Sequence, residues 1–376
     1  MKTKSYYLSL VLLGFMMWSC SNKDDLSSSQ GSLKISINTG AGNLTTAMTA
    51  IANSPGYQVL ATGSTSNAPS LVKSSVSGSF GMARVDTIKI SDIAGVYEYQ
   101  AANYKKWHPS FMNFFVKTGT SSDFVVKLPS SKVTHPGSLL RFMAADTLLT
   151  NNYVVDVSTY NYEFSRFLWN YSFASSIKID NVDVGTMTIQ SSRSRQNGQN
   201  FMSDFSFTNG YEAKITNSTG DTILSDYSIS KGGTVYFEEK FTSIKADTAS
   251  RHREKEYSLI IGNVKIVRTP VHGSNGLDSA KVYLNGALQS KAKVSFIDIA
   301  SHNDTTEFSV IGHNRDIQII FDDSTKTTVN QLLGSTIENV RTLFTSLRQV
   351  YFATNVVDWA AWDIYLNKNN MMNFNH

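Results

Sequence analysis

From residue 32 to about residue 326, apolar and polar residues alternate mainly with a period of two. Leu33, Ile35 and Ile37 alternate with Lys34 and Ser36. This predicts a half-buried strand, because successive strand side chains point to opposite faces. Residues 85–90 repeat the theme. Segments 111–116 and 124–128 flank Lys117-Thr118-Gly119-Thr120-Ser121-Ser122 and predict a hairpin with a loose polar tip. Segments 182–189 and 201–207 form another candidate pair, with the polar stretch 191–200 between them as a loop or boundary. Further on, 234–237 follow Gly232-Gly233, and 258–261 and 264–267 flank Gly262-Asn263. Segment 281–284 runs into Asn285-Gly286, a pair that tolerates the positive φ of a two-residue hairpin turn. Segments 294–299, 308–311 and 317–321 complete the series. Short strands with turn residues every 8 to 12 positions, roughly, favour antiparallel sandwiches over parallel α/β folds.

Near the C-terminus the period changes. Ser335-Thr336-Ile337-Glu338 reads as a capping box, a hydroxyl N-cap with a carboxylate three residues on. Behind it Ile337, Val340, Phe344, Leu347 and Tyr351 recur at spacings of three and four, one apolar stripe of a helix. A second helical run, 356–366, is apolar on most of its circumference and interrupted only by Asp358 and Asp363. It is shorter than the roughly 20 residues needed to cross a bilayer. The expected fold is therefore mainly β: two antiparallel β-sandwich-like domains, 32–195 and 196–326, with helices over 327–368 packed on the second. The class is α+β overall.

The N-terminus adds an address. Lys2 and Lys4 precede an apolar run over 6–18, then Trp18-Ser19-Cys20 and polar sequence. The run is too short for a permanent span and reads as a secretion signal. Cys20 is the one cysteine in 376 residues and stands at the end of that run. The stretch resembles a bacterial lipoprotein signal peptide, with bulky Met17-Trp18 where smaller residues are commoner. The resemblance implies removal of residues 1–19 and acylation of Cys20, with several chains at about 0.8 kcal/mol per buried methylene giving stable anchoring. The Ser-rich stretch 20–31 then serves as a lipidated flexible tether. Its acidic pair Asp24-Asp25 resembles an export signal of surface-displayed outer-membrane lipoproteins. The implied location is the outer membrane, on the cell surface, with the periplasmic face as the alternative.

Composition narrows the chemistry. Lys and Arg number 34 against 30 Asp and Glu, a net charge of +4, which argues against a nucleic-acid binder. The chain contains no HExxH, GxxxxGK[ST] or GxSxG motif. His302 with Asp298 and Asp304, and His313 with Asp316, are imidazole–carboxylate clusters, but they sit where turn residues are expected. Glu238-Glu239 and Asp322-Asp323 are neighbours, and strand neighbours face opposite ways, so neither pair can flank one glycosidic bond. His108, His135, His252 and His272 show no metal-ligand spacing. No catalytic residue, metal site or cofactor is assigned.

Aromatic residues crowd two stretches, 97–115 and 160–173. Tyr104, Trp107, Trp169 and Tyr171 are the candidate ligand-binding residues, since amphipathic rings suit carbohydrate faces, with Asn103, Asn161 and Asn170 near them. The alternative is a strand burying aromatics in its core. A recurrent Asp-Thr/Ser tripeptide resembles the acceptor of an O-glycosylation system on exported proteins of certain gut and oral bacteria. It places candidate modifications at Thr87, Thr147, Thr222, Thr248, Ser279, Thr305 and Ser324. The alternative is that Asp-Thr simply opens strands after turns. The sequence thus points to a lipid-anchored envelope protein that binds or scaffolds, with glycans as candidate ligands and the membrane reached through the lipid. A structural, adhesin or accessory subunit of an outer-membrane complex, and a glycan-active hydrolase, stand as alternatives.

Overall fold

The computed structural model describes residues 29–62, 86–100, 114–133, 147–165, 168–195, 198–245, 253–269, 279–298, 315–349 and 351–368. Cys20, Tyr104 and Trp107 lie outside them. The chain is mainly β, with one large sheet, one small sheet and a helical layer to which the C-terminus contributes.

Eleven strands follow one another as an antiparallel meander. They are β5 (Tyr153–Phe164), β6 (Leu168–Ile179), β7 (Val182–Ser194), β8 (Gly198–Phe207), β9 (Tyr211–Thr219) and β10 (Thr222–Lys231). β11 (Thr234–Lys245), β12 (Arg253–Ile261), β13 (Val264–Thr269), β14 (Ser279–Leu284) and β15 (Ala287–Leu288) continue it. Turn chemistry sets the joints. Asn285 and Gly286 adopt φ of 50° and 82° as expected, and Asp180-Asn181 makes a similar turn between β6 and β7. At 191–200 the strands run on through the polar stretch, and only 195–197 separate β7 from β8. Serine, glutamine and asparagine fit there because one face of an antiparallel sheet can meet water. The sheet is consequently continuous across residue 195.

Beyond β5 the sheet is completed by β1 (Asp86–Lys89), β2 (Gly95–Tyr99), β3 (Phe115–Gly119) and β4 (Phe124–Leu128), with the short helices α3 (Ile90–Ile93) after β1 and α4 (Ser130–Val133) after β4. The hairpin expected between the last two does not form. β2 lies between them, antiparallel to β3 and parallel to β4. Its tyrosines account for the insertion: Tyr97 meets Phe124 edge-on at 5.4 Å and Tyr99 meets Phe115 at 5.7 Å. Such pairs add to the burial of the rings themselves.

The expected strand at 33–37 is instead part of helix α1 (Ser29–Ala52). Leu33, Ile37, Ala41, Leu44, Met48 and Ile51 are all buried, whereas Ile35 is 67% exposed. Five residues matched the strand period, but the longer window carries the helical one. Helix α2 (Pro55–Thr62) follows, with proline at its first position and the Ser54 hydroxyl accepting from the Tyr57 amide. Both helices sit tightly on the sheet through glycine. A Cβ on Gly40 would stand 2.8 Å from the Ile261 carbonyl oxygen, and one on Gly56 would stand 2.5 Å from that of Val184.

A small sheet of β16 (Lys293–Asp298), β17 (Arg315–Ile320) and β18 (Lys326–Thr328) leads into α5 (Val329–Leu333). Here Thr328 and Gln331 form the capping box. Helix α6 (Thr336–Gln349) carries the expected stripe: Ile337, Val340, Phe344 and Leu347 are buried, and Phe344 packs on Tyr227 and Phe237. Glu338 pairs with Arg341 one turn on, and the Thr336 hydroxyl meets that of Thr45 on α1 at 2.8 Å. Helix α7 (Tyr351–Lys368) closes the layer. Among the described residues no helix is long and apolar enough to cross a membrane.

Candidate functional site: the outer face of the sheet

Alternation along β5–β10 divides the sheet into an inner face under the helices and an outer face. The inner face is packed. Tyr160, Tyr171 and Phe173 are buried there, and the hydroxyls of Tyr160 and Tyr171 donate to the buried Asp358 of α7 at 3.2 and 3.0 Å. Burial, reinforced by the Asp358 carboxylate, holds the Tyr160 phenol far above its ordinary pKa. A second buried carboxyl, Glu239, accepts from the Tyr257 hydroxyl at 3.1 Å. Burial raises its pKa strongly, although the Tyr257 bond and the Arg341 charge oppose the shift. Both carboxyls are enclosed by packed rings and lie with the structural core.

The outer face holds an open cleft of about 570 Å³. Two cross-strand rows form its walls. One row is Asn161, Ser172, Gln190, Met202 and Thr216 on β5–β9. The other is Asn170, Ser192, Asn200, Ser218 and Leu224 on β6–β10. Tyr171, Ser191, Phe201 and Asn217 lie between the rows, where their side chains point to the other face and only their backbone can form the floor. Amides offer both donors and acceptors, hydroxyls do likewise, and Met202 and Leu224 add apolar contact. None of the described lining residues is charged. Asn170 Nδ2 donates to Glu163 at 3.0 Å, and Asn200 Nδ2 reaches the Ser192 hydroxyl at 3.4 Å, which orients two of the amides.

One carboxyl pair lies farther along the same face. Asp204 is hydrogen-bonded to Glu212, and burial followed by that bond and the Glu212 charge pushes it up to about 7 against the pull of Lys214. Asp204 is opposite Lys214 and Ser206 is opposite Glu212, so the two carboxyls are diagonal neighbours on β8 and β9.

The residues expected from sequence are distributed as follows. Tyr171, at 6% exposure, presents its ring to the core, edge-on to Tyr160 and Tyr162, and has no open face on which a sugar could stack. Trp169 is half-buried against the core, with its ring nitrogen buried and unpartnered among the described residues. Asn161 and Asn170, expected as accessory donors, do line the cleft. Of the acceptor hydroxyls, Thr147, Thr222 and Ser324 are exposed and Thr87 is half-buried, while Ser279 opens β14 and Thr248 and Thr305 lie outside the described residues. Asp323 accepts from the Thr325 amide at 2.9 Å, the local turn role expected as the alternative. All seven histidines lie outside the described residues. Asp316, expected beside His313, is buried and accepts from the Ile317 and Asn330 amides, tying β17 to α5. Among the described residues no group of three or more His, Cys, Asp and Glu could hold a metal ion.

No protein-family model, curated protein or solved structure matches this chain.

Proposed function

We propose that this chain is a lipid-anchored cell-envelope protein that acts by binding, and that its ligand is a neutral glycan held on the outer face of the large sheet. The observation that carries this reading is the uncharged lining of the cleft. A sugar presents hydroxyls that donate and accept at once, and Asn161, Asn170, Gln190 and Asn200 answer both functions. Met202 and Leu224 can cover its C–H faces. A cleft of about 570 Å³ is within the range of small-ligand sites. Its described walls offer hydrogen-bonding groups but no acid–base pair, which favours binding over hydrolysis. The envelope address rests on Lys2, Lys4, the apolar run and Cys20.

Two measurements test the two halves. Full-length protein in a detergent without sugar headgroups should bind neutral glycans on an array. Gln190→Ala with Asn200→Ala should weaken that binding at least about tenfold, because two polar contacts are lost. A blank array, or binding that the double variant leaves unchanged, overturns the ligand assignment. Labelled palmitate should enter the native chain and be absent from Cys20→Ser; no incorporation into the native chain overturns the anchor.

A further inference from the structure

The geometry points to an extended, linear ligand lying across the strands, of about four sugar units, and we propose this as the substrate class of the cleft; it rests on the glycan reading above. The walls are two rows, each carrying one side chain per strand over five consecutive strands in unbroken register. Neighbouring strands are about 4.8 Å apart, so each row spans about 19 Å. That interval is close to the repeat of an extended, equatorially linked sugar chain, so one sugar can meet one strand's pair of side chains. A compact monosaccharide would use only a fraction of such a ladder.

Charge marks three of the ladder's four ends. In the first row, Asn161 is followed on β1 by Lys89, and Thr216 is followed on β10 by Asp226. In the second, Asn170 is followed on β5 by Glu163, while Leu224 is followed on β11 by the uncharged Thr242, which does not line the cleft. Between these limits every wall residue is an amide, a hydroxyl or apolar. An uncharged polymer gains contacts to amides, hydroxyls and apolar groups over about that length, and an acidic polymer gains no cationic partner within it.

Titration calorimetry of the full-length protein with cello-, xylo-, manno- and N-acetylchito-oligosaccharides of one to six units tests this. For the series that binds, affinity should rise about tenfold or more from dimer to tetramer, as each added sugar makes new hydrogen bonds, and then level off. Gln190→Ala, in the centre, should weaken all lengths. Asn161→Ala, at the end, should weaken the tetramer by about threefold and leave the dimer unchanged. Binding that is equally tight for monomer and hexamer, or equally tight for oligogalacturonides, overturns the extended-ligand inference while leaving a glycan site standing. Failure of every neutral probe, at all lengths, overturns the glycan reading and this inference with it.

Discussion

Gly40 and Gly42 stand two positions apart on α1, and replacing each with alanine isolates the contact between that helix and the sheet. Gly42 is exposed and a Cβ there meets nothing within 4 Å. Gly42→Ala should therefore gain the helix-propensity difference, about 1 kcal/mol. Gly40 gains the same difference, but its Cβ would stand 2.8 Å from the Ile261 oxygen and 3.3 Å from its Cγ2. The nearer atom is backbone of β12 and cannot rotate away. Overpacking of this kind costs about 1–3 kcal/mol, so Gly40→Ala should come out neutral or destabilised by up to about 2 kcal/mol. The propensity and unfolded-state terms are common to both variants. Their difference, about 1–3 kcal/mol, therefore reports the contact alone. Urea unfolding at 25 °C, followed by circular dichroism with equal slopes for the two proteins, measures it. If Gly40→Ala proves as stable as Gly42→Ala, α1 does not rest on the end of β12, and the helical account of the N-terminal segment fails with it.

Tyr171→Phe removes one of the two phenols that donate to Asp358, and should cost about 1.5 kcal/mol by the same assay; no loss would mean that the bond contributes nothing net. Glu239→Gln should remove a pH dependence. Burial raises the folded-state pKa above its ordinary 4.5, so the folded protein holds a proton that the unfolded chain releases, and stability falls as pH rises through that window. The native protein should therefore unfold at lower urea at pH 8 than at pH 5, with the variant showing a flatter profile. Identical profiles would refute a buried, reluctantly ionised carboxyl at that position.

What could be read from sequence was what neighbours decide. The Asn285-Gly286 turn, the stripe on α6 and most strands of the meander rest on local spacing and backbone preference. Two differences between the sequence pattern and the structure share a cause. Leu33, Ile35 and Ile37 satisfied a strand pattern over five residues, and segments 111–116 and 124–128 looked like adjacent arms of a hairpin. In both cases a distant partner decides: β12 and β13 beneath α1, and Tyr97 and Tyr99 of the inserted β2. The site was obscured for a different reason. Ser192 and Asn200 fit a loop or boundary because polarity is the usual mark of one, whereas on an outer sheet face it marks solvent contact or a ligand. A usable signal was present: amides and hydroxyls occupy same-facing positions on five strands in succession, at 161, 170 and 172, 190 and 192, 200, and 216 and 218. Reading it required the register, which single-strand patterns do not supply. Trp169 and Tyr171 have the rings that suit a sugar face, yet their strand turns them toward the helices.

The seating of α1 sets an order of events during synthesis. Lys34 bonds Thr325, 291 residues later in the chain, and Gly40 rests against the end of β12. The first described helix thus waits for some of the last segments before it can bury its apolar side. Contacts of such long sequence separation are slow to form, and exposed apolar surface invites capture in the interval. A chain assembled this way stays unfinished, and threadable through a narrow channel, until its final third has emerged.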